Sequence, residues 1–109
     1  MNRPSHTYQI YFGGRCGAGI EIDDSEFSAF VRGFLSTRLE AFTVETGYGY
    51  WKGKREPVRI VTVTGTDDQG ELGSTCYQIA KLYALEYSQD AVWINCFTSH
   101  STLVTRDNA

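Results

Sequence analysis

The sequence predicts an α+β domain in which two helices cover one face of a four-stranded antiparallel sheet. Three features of the chain support this fold class. Its 109 residues leave room for one core only. Four stretches have the alternation or the β-rich composition of strands, and two carry apolar residues at helical spacing. We therefore treat residues 1–109 as a single domain, with its core over about residues 7–98.

The first half of the chain predicts a strand followed by a helix. Residues 7–12 alternate in polarity and end at two glycines, which is typical of a strand. The helix is expected to begin after Asp23, because Asp23 can cap it and Glu26 follows three residues later, as in a capping box. The apolar stripe of this helix recurs at helical spacing and consists of Phe27, Phe30, Val31, Phe34 and Leu35.

The second half predicts two strands, a helix and a last strand. We expect strands over residues 42–51 and 57–66, with residues 52–56 as the hairpin tip and 67–70 as a polar turn. A helix should span residues 71–87, with Asp68 and Glu71 as its cap pair. Its apolar face comprises Leu72, Cys76, Ile79, Ala80, Tyr83 and Tyr87. Residues 90–98 read as the fourth strand, and residues 99–109 as a polar tail that could be flexible.

This βαββαβ order predicts a ferredoxin-like fold, in which both helices lie on one face of the sheet. Strand alternation then places Tyr11, Trp93 and Phe97 together on the face without helices. Aromatic side chains on an open sheet face are normally buried against another molecule. We therefore predict a homo-oligomer that assembles through this face, with Trp93 and Phe97 in the contact.

Composition and charge exclude several classes of function. A net charge of −3 argues against a surface that grips nucleic acid. No apolar run is long enough to span a membrane, and the first residues do not resemble a signal peptide. The three cysteines, Cys16, Cys76 and Cys96, lack metal-ligand spacing and suggest half-buried, reduced thiols. We expect a cytoplasmic protein of a bacterial cell or a phage-infected host, with no metal and no cofactor.

A binding site is predicted where basic, aromatic and glycine residues concentrate. Five of the ten basic residues lie in the glycine-rich loop after the first strand or around the hairpin: Arg15, Lys52, Lys54, Arg55 and Arg59. The planar guanidinium of arginine pairs with phosphate or carboxylate, and tyrosine and tryptophan offer faces for a flat ring. We expect the phosphate of a nucleotide-like ligand to be held by Arg15, Arg55 and Arg59. The ring of this ligand would stack on, or lie beside, the side chains of Tyr11, Tyr48 and Trp51.

Two other classes of function stay open. A small enzyme of unknown reaction type would have Cys16, next to Arg15, as its one candidate nucleophile, because a cationic neighbour lowers the pKa of a thiol. No known catalytic motif occurs, so we lean against an enzyme. Residues 10–14 and 47–51 resemble the ribonucleoprotein motifs of RNA-recognition domains. That resemblance implies an RNA-binding or protein-binding module that uses the open sheet face.

A series of short motifs also resembles a known family. In order, these are YFG at residues 11–13, FxxF at 27–30, TR at 37–38, FTV at 42–44, GxW at 49–51 and RE at 55–56. The series is similar to a family of small α+β domains of bacteria and phages whose function is unknown. The resemblance implies no activity, but it marks Arg38, Trp51, Arg55 and Glu56 as residues of interest.

These observations lead to one functional hypothesis. We expect a non-catalytic, oligomeric domain that binds a small anionic or nucleotide-like molecule. Its predicted ligand contacts are Tyr11, Arg15, Arg38, Tyr48, Trp51, Arg55 and Arg59. A phage-encoded sponge that removes a nucleotide immune signal would be a protein of this kind.

Overall fold

A computed structural model describes residues 3–66 and 70–107 of the chain. The elements are β1 (Arg3–Gly13), α1 (Asp24–Phe30), a π-helical turn (Val31–Leu35), β2 (Thr43–Trp51), β3 (Lys54–Gly65), α2 (Glu71–Glu86) and β4 (Trp93–Ser101). The four strands form one antiparallel sheet in the order β2-β3-β1-β4. The predicted α+β class, with a four-stranded antiparallel sheet and two helices, is confirmed. The ferredoxin-like assignment itself stays a prediction.

The core lies between the sheet and both helices. The ring of Phe12, on β1, is fully buried, and its centroid lies 5.8 Å from that of Phe30 on α1 and 4.5 Å from that of Tyr83 on α2. Because one β1 side chain contacts both helices, α1 and α2 cover the same face of the sheet. The other face is left without a helix among the described residues, and the candidate site described below lies there.

Helix α1 begins as its sequence predicts but ends differently. The Asp23 carboxylate accepts a hydrogen bond from the backbone N–H of Glu26 at 2.8 Å, and the Glu26 side chain returns to the Asp23 backbone, which completes the capping box. After Phe30 the regular α-helix gives way to a π-helical turn, in which the N–H of Ser36 donates to the carbonyl of Val31. The turn still delivers Leu35 to the core.

The β2–β3 hairpin is tighter than predicted. Its tip is the pair Lys52 and Gly53, rather than residues 52–56, and both residues have positive φ, 50° and 78°. Two consecutive residues in this conformation match the twist of a two-residue hairpin turn. Strand β3 therefore begins at Lys54, three residues earlier than the sequence suggested.

The start of β1 and both ends of β4 differ from the sequence prediction, whereas α2 begins at Glu71 as predicted. Strand β4 extends to Ser101 instead of ending at residue 98, because β1 begins at Arg3 and supplies partners for these residues. The Ser5 hydroxyl, for example, lies 2.8 Å from that of Ser101. Helix α2 begins after Gly70, which has a positive φ and forms no side-chain cap. The predicted cap residue Asp68 lies outside the described residues.

The structure can be compared with what the sequence predicts for the cysteines, for a membrane span and for a metal site. All three cysteines are free, but only Cys16 is half-buried as predicted. Cys76 is buried on the core-facing side of α2, and Cys96, on the edge strand β4, is exposed. Within residues 3–66 and 70–107, no helix has both the length and the apolar character needed to cross a membrane. Within the same residues, no three or more His, Cys, Asp or Glu side chains form a group that could hold a metal ion.

Tyr83 links α2 to β1 through the core. Its hydroxyl donates to the carbonyl of Gly13, its ring is fully buried, and burial raises the pKa of the phenol. A raised tyrosine pKa in the folded state means that the unfolded chain loses this proton first. The stabilisation is therefore complete below about pH 10, the ordinary tyrosine value, and is lost as the pH rises towards the folded pKa.

We expect the free energy of unfolding to decline above about pH 10, and Tyr83→Phe to reduce this decline. At neutral pH the same variant should be less stable by about 1 kcal/mol, because the Gly13 carbonyl loses its donor. Urea unfolding across the alkaline range measures both effects. Tyr77→Phe is the control, since Tyr77 is an exposed residue of the same helix. An alkaline decline of equal size in both variants would contradict the role of Tyr83.

Candidate functional site

A cavity of about 530 Å³ opens on the helix-free side of the sheet, between the β2–β3 hairpin and the start of β4. Five aromatic residues border it: Tyr11, Tyr48, Tyr50, Trp51 and Trp93. Val58 and Ile60 of β3 add apolar surface, and Gln89, Asp90 and Glu56 add polar groups. The volume of the cavity is within the range of small-molecule sites. An apolar lining with a few polar groups is also typical of such sites.

Strand register brings these side chains together. Tyr11 on β1 lies directly opposite Trp93 on β4 and Ile60 on β3. Gly49 lies opposite Glu56, and a Cβ atom at Gly49 would meet nothing within 4 Å, so its lack of a side chain keeps this part of the cavity open. By strand alternation Gly49 and Trp51 lie on the same face as Glu56, whereas Tyr48 and Tyr50 lie on the face of Arg59 and border the cavity from the edge strand β2.

The segment between α2 and β4 closes one side of the cavity. A Cβ atom at Gly13 would lie 2.6 Å from the side-chain oxygen of Gln89, so a larger residue there would displace the Gln89 amide from its present position. The Gln89 side-chain amide donates to the carbonyls of Arg15 (2.6 Å) and Tyr87 (3.2 Å). These bonds fix the segment that carries Asp90 against the loop that follows β1.

A chain of hydrogen bonds orients two of the aromatic rings. The indole N–H of Trp93 donates to the side-chain oxygen of Asn95 at 2.9 Å, and the Asn95 amide donates to the Tyr11 hydroxyl at 3.3 Å. That hydroxyl donates in turn to the side-chain oxygen of Gln9 at 3.2 Å. Two rings held before a ligand arrives lose less side-chain entropy on binding.

The predicted aromatic residues Tyr11, Trp51 and Tyr48 meet at this cavity, but the predicted arginines are not among its lining residues. The Arg55 guanidinium lies 4.3 Å from the centroid of the Tyr48 ring. Arg15 is placed beside Arg55 and donates to its backbone carbonyl at 3.4 Å. The structure therefore leaves two arginines near the rim, one of them stacked on a ring that lines the cavity.

Arg59 lies on the helix-covered side and already has partners there. Its side chain is 10% exposed, forms an ion pair of 2.8 Å with Asp24, and donates to the carbonyl of Ile22 at 2.9 Å. Its guanidinium also lies 4.9 Å from the centroid of the Phe27 ring. A second, smaller cavity of about 280 Å³ borders Arg59, Asp24 and Glu21. These contacts give Arg59 a structural role that connects β3 to the start of α1.

Arg38 is separate from the other predicted site residues. It lies after the π-helical turn, where its guanidinium is 5.5 Å from the Phe34 ring centroid and donates to the Phe34 carbonyl and to Gln78. Gln78 belongs to α2, so these contacts are on the helix side of the sheet. The alternative nucleophile Cys16 is not among the described residues that line the 530 Å³ cavity, and neither are the two histidines.

Trp93, Glu56 and Asp90 are among the cavity residues that were not predicted as ligand contacts. Trp93 was expected on the open face, but as part of a subunit contact, and Glu56 was noted only through the family resemblance. The side chains of Trp93 and Phe97 are 70% and 48% exposed in the single chain. Self-association through these residues stays a prediction.

Comparison with known proteins shows similarity of fold alone. No protein-family profile and no curated protein matches the sequence. One similar solved structure is a phage SAM lyase in complex with S-methyl-5′-thioadenosine, with 11% identity over 91% of this chain and 90% of that chain and a TM-score of 0.57. Another is the de novo designed protein Foldit4, with 12% identity over 91% of this chain and 99% of that chain and a TM-score of 0.51.

Proposed function

We propose that the protein binds a small nucleoside-like molecule in the open-face cavity without transforming it. The observation that carries this proposal is that five aromatic residues from β1, β2 and β4 border one space of about 530 Å³, with Tyr11, Trp51 and Trp93 on the open face of the sheet. Flat ring systems stack on such side chains, at about 1–3 kcal/mol for each base–aromatic contact. Gln89, Glu56 and Asp90 supply polar groups that can orient the ligand.

The fold comparison supports a choice of first ligands. The similar phage lyase was solved with S-methyl-5′-thioadenosine, which is a nucleoside derivative with a flat purine ring. A shared fold does not transfer an activity, so this likeness supports adenosine derivatives as probes and nothing narrower. The strand order β2-β3-β1-β4 likewise supports the ferredoxin-like assignment that we propose for the domain.

Binding without turnover is favoured over the other two classes by what lines the cavity. The candidate nucleophile Cys16 and the histidines are not among its described lining residues, which disfavours an enzyme built on them. No basic side chain is among those residues either, which disfavours a track for a nucleic-acid backbone. A phage-encoded sponge for a nucleotide signal would be one biological use of such a site.

The test is a calorimetric titration with adenosine and S-methyl-5′-thioadenosine. We expect the wild-type protein to bind at least one of them, and Trp93→Ala to weaken binding about 5-fold to 150-fold, since one stacking contact of about 1–3 kcal/mol is lost. Phe97→Ala is the matched control. It removes an aromatic ring from the same strand that is not among the cavity-lining residues, and it should change the affinity less than twofold.

Two outcomes would contradict the proposal. The first is that neither nucleoside binds to the wild-type protein at millimolar concentration. The second is that Trp93→Ala and Phe97→Ala weaken binding equally, which would place the ligand elsewhere on the open face. Mass spectrometry of the ligand after long incubation checks the absence of turnover, because we expect the intact nucleoside to be recovered.

A further inference from the structure

The charged side chains that line the open-face cavity are acidic. Glu56 projects from β3 opposite Gly49, and Asp90 is held in place by the anchored segment before β4. No lysine or arginine is among the described lining residues. An anionic group inside this cavity would therefore face two carboxylates and no direct cationic partner, which costs electrostatic energy.

The basic residues near the cavity contact aromatic rings and are not among the residues that line it. The Arg55 guanidinium lies 4.3 Å from the Tyr48 ring centroid, and the Lys52 ammonium lies 5.6 Å from that of Trp51. Both distances are within the range at which a cation is attracted by the electron-rich face of an aromatic ring. The chain's own cations thus already use two of the five rings as cation acceptors.

We infer that the ligand of this cavity carries a compact positive charge, such as a protonated amine or a quaternary ammonium, beside its flat ring. The inference rests on the proposed function and deepens it, because it reverses the sign of the charge that the sequence suggested. Tyr11 and Trp93 lie opposite each other on the open face and line the cavity, while Glu56 and Asp90 supply the counter-charge. Aromatic rings combined with carboxylates are the arrangement that binds organic cations.

Screening limits the size of the expected preference. Asp90 is exposed and Glu56 is half-buried, so water and salt weaken their attraction to a ligand charge. Arg55 and Lys52 lie close enough to oppose part of it. A cation–π contact at an exposed site contributes about 0.5–1 kcal/mol, and more when it is desolvated. We therefore expect an affinity gain of roughly fivefold for the cation, rather than several orders of magnitude.

The test uses three adenosine derivatives that share a ring and differ in charge at the 5′ position. They are 5′-amino-5′-deoxyadenosine, which is cationic near neutral pH, neutral adenosine, and anionic adenosine 5′-monophosphate. Calorimetry at low salt should rank their affinities in that order, with the amine about fivefold tighter than adenosine. Added salt should reduce the difference between amine and adenosine, because it screens the carboxylates.

Glu56→Gln assigns the preference to this cavity. It should lower the ratio of the amine affinity to the adenosine affinity towards one, because the carboxylate that attracts the ligand charge is removed. Glu45→Gln is the matched control, since Glu45 is an exposed residue of β2 that is not among the cavity-lining residues. Asp90→Asn gives a second, independent variant, and thermal unfolding verifies that each variant is folded.

The outcomes separate this inference from the proposed function. If adenosine binds but the monophosphate binds as tightly as the amine or more tightly, the inference is wrong and nucleoside binding stands. If the amine is preferred and neither Glu56→Gln nor Asp90→Asn changes that preference, the inference is also wrong. If none of the three compounds binds, the proposed function and the inference fail together.

Discussion

Phe12→Ala is expected to lower the free energy of unfolding by about 3–5 kcal/mol, the usual cost of removing a fully buried phenylalanine ring. Phe12 contacts the rings of Phe30 and Tyr83, so its removal opens a cavity at the point where both helices meet the sheet. Domains of this size are stable by only about 5–15 kcal/mol. The variant should therefore unfold at a much lower urea concentration than the wild-type protein, and could be partly unfolded without denaturant.

Phe97→Ala is the control for this prediction because the chemical change is identical. Phe97 lies on the same sheet but on the open face, and about half of it is exposed in the single chain. We expect it to cost less than about 1.5 kcal/mol, since the ring buries less area and leaves no internal cavity. Measurements on dilute protein keep any subunit contact out of the comparison. Equal costs for the two variants would mean that the core is not centred on Phe12.

Arg59→Met is expected to lower the free energy of unfolding by about 2–3 kcal/mol. Methionine keeps an unbranched apolar stem but loses the charged hydrogen bond to the Ile22 carbonyl, which is worth about 1.5–3 kcal/mol. It also loses the contact with the Phe27 ring, worth about 0.5–1 kcal/mol. The ion pair with Asp24 should add little to the free energy of unfolding, because the side chain of Asp24 is 96% exposed.

Arg55→Met is the matched control for Arg59→Met. Arg55 is exposed and stacks on Tyr48, so its loss should cost about 0.5–1 kcal/mol at most. Urea unfolding of the two variants side by side separates a structural arginine from a surface arginine. If Arg59→Met were as stable as Arg55→Met and instead abolished ligand binding, then Arg59 would be a ligand contact, as the sequence suggested.

The parts of the fold that depend on local chemistry were predictable. The start of α1 follows from Asp23 and Glu26, whose side chains reach backbone groups only three residues away. The apolar face of α2 follows from residue spacing, and Cys76, Ile79 and Tyr83 are indeed buried. Both features rest on short-range geometry that one sequence specifies.

The parts that depend on pairing between distant strands were not predictable to the same degree. The extension of β4 to Ser101 requires the early start of β1, which lies more than ninety residues away in the chain. The tight turn at Lys52 and Gly53 is a choice of backbone conformation, whereas composition indicated a longer polar tip. The π-helical turn after Phe30 has no marker in the apolar spacing, which continues without a break.

The candidate site likewise has features that the local sequence predicts and features that depend on pairing between distant strands. Tyr48 and Trp51 are close in sequence, so an aromatic cluster on the hairpin could be inferred from the chain alone. Their meeting with Trp93 depends on the register of β1 with β4, in which Trp93 lies opposite Tyr11. The partners of Arg59, Ile22 and Asp24, could not be predicted, because they belong to a distant segment that only the folded chain brings close. Its role as a ligand contact stays a prediction.

The central claim is that a flat ligand lies between the β2–β3 hairpin and β4, and tryptophan fluorescence tests it most directly. The chain has two tryptophans, Trp51 and Trp93, and both line the cavity. In the single-tryptophan variants Trp51→Phe and Trp93→Phe, an adenosine titration should change the emission of the remaining indole, with a dissociation constant equal to the calorimetric one. Binding by calorimetry with no change in either indole would contradict the claim.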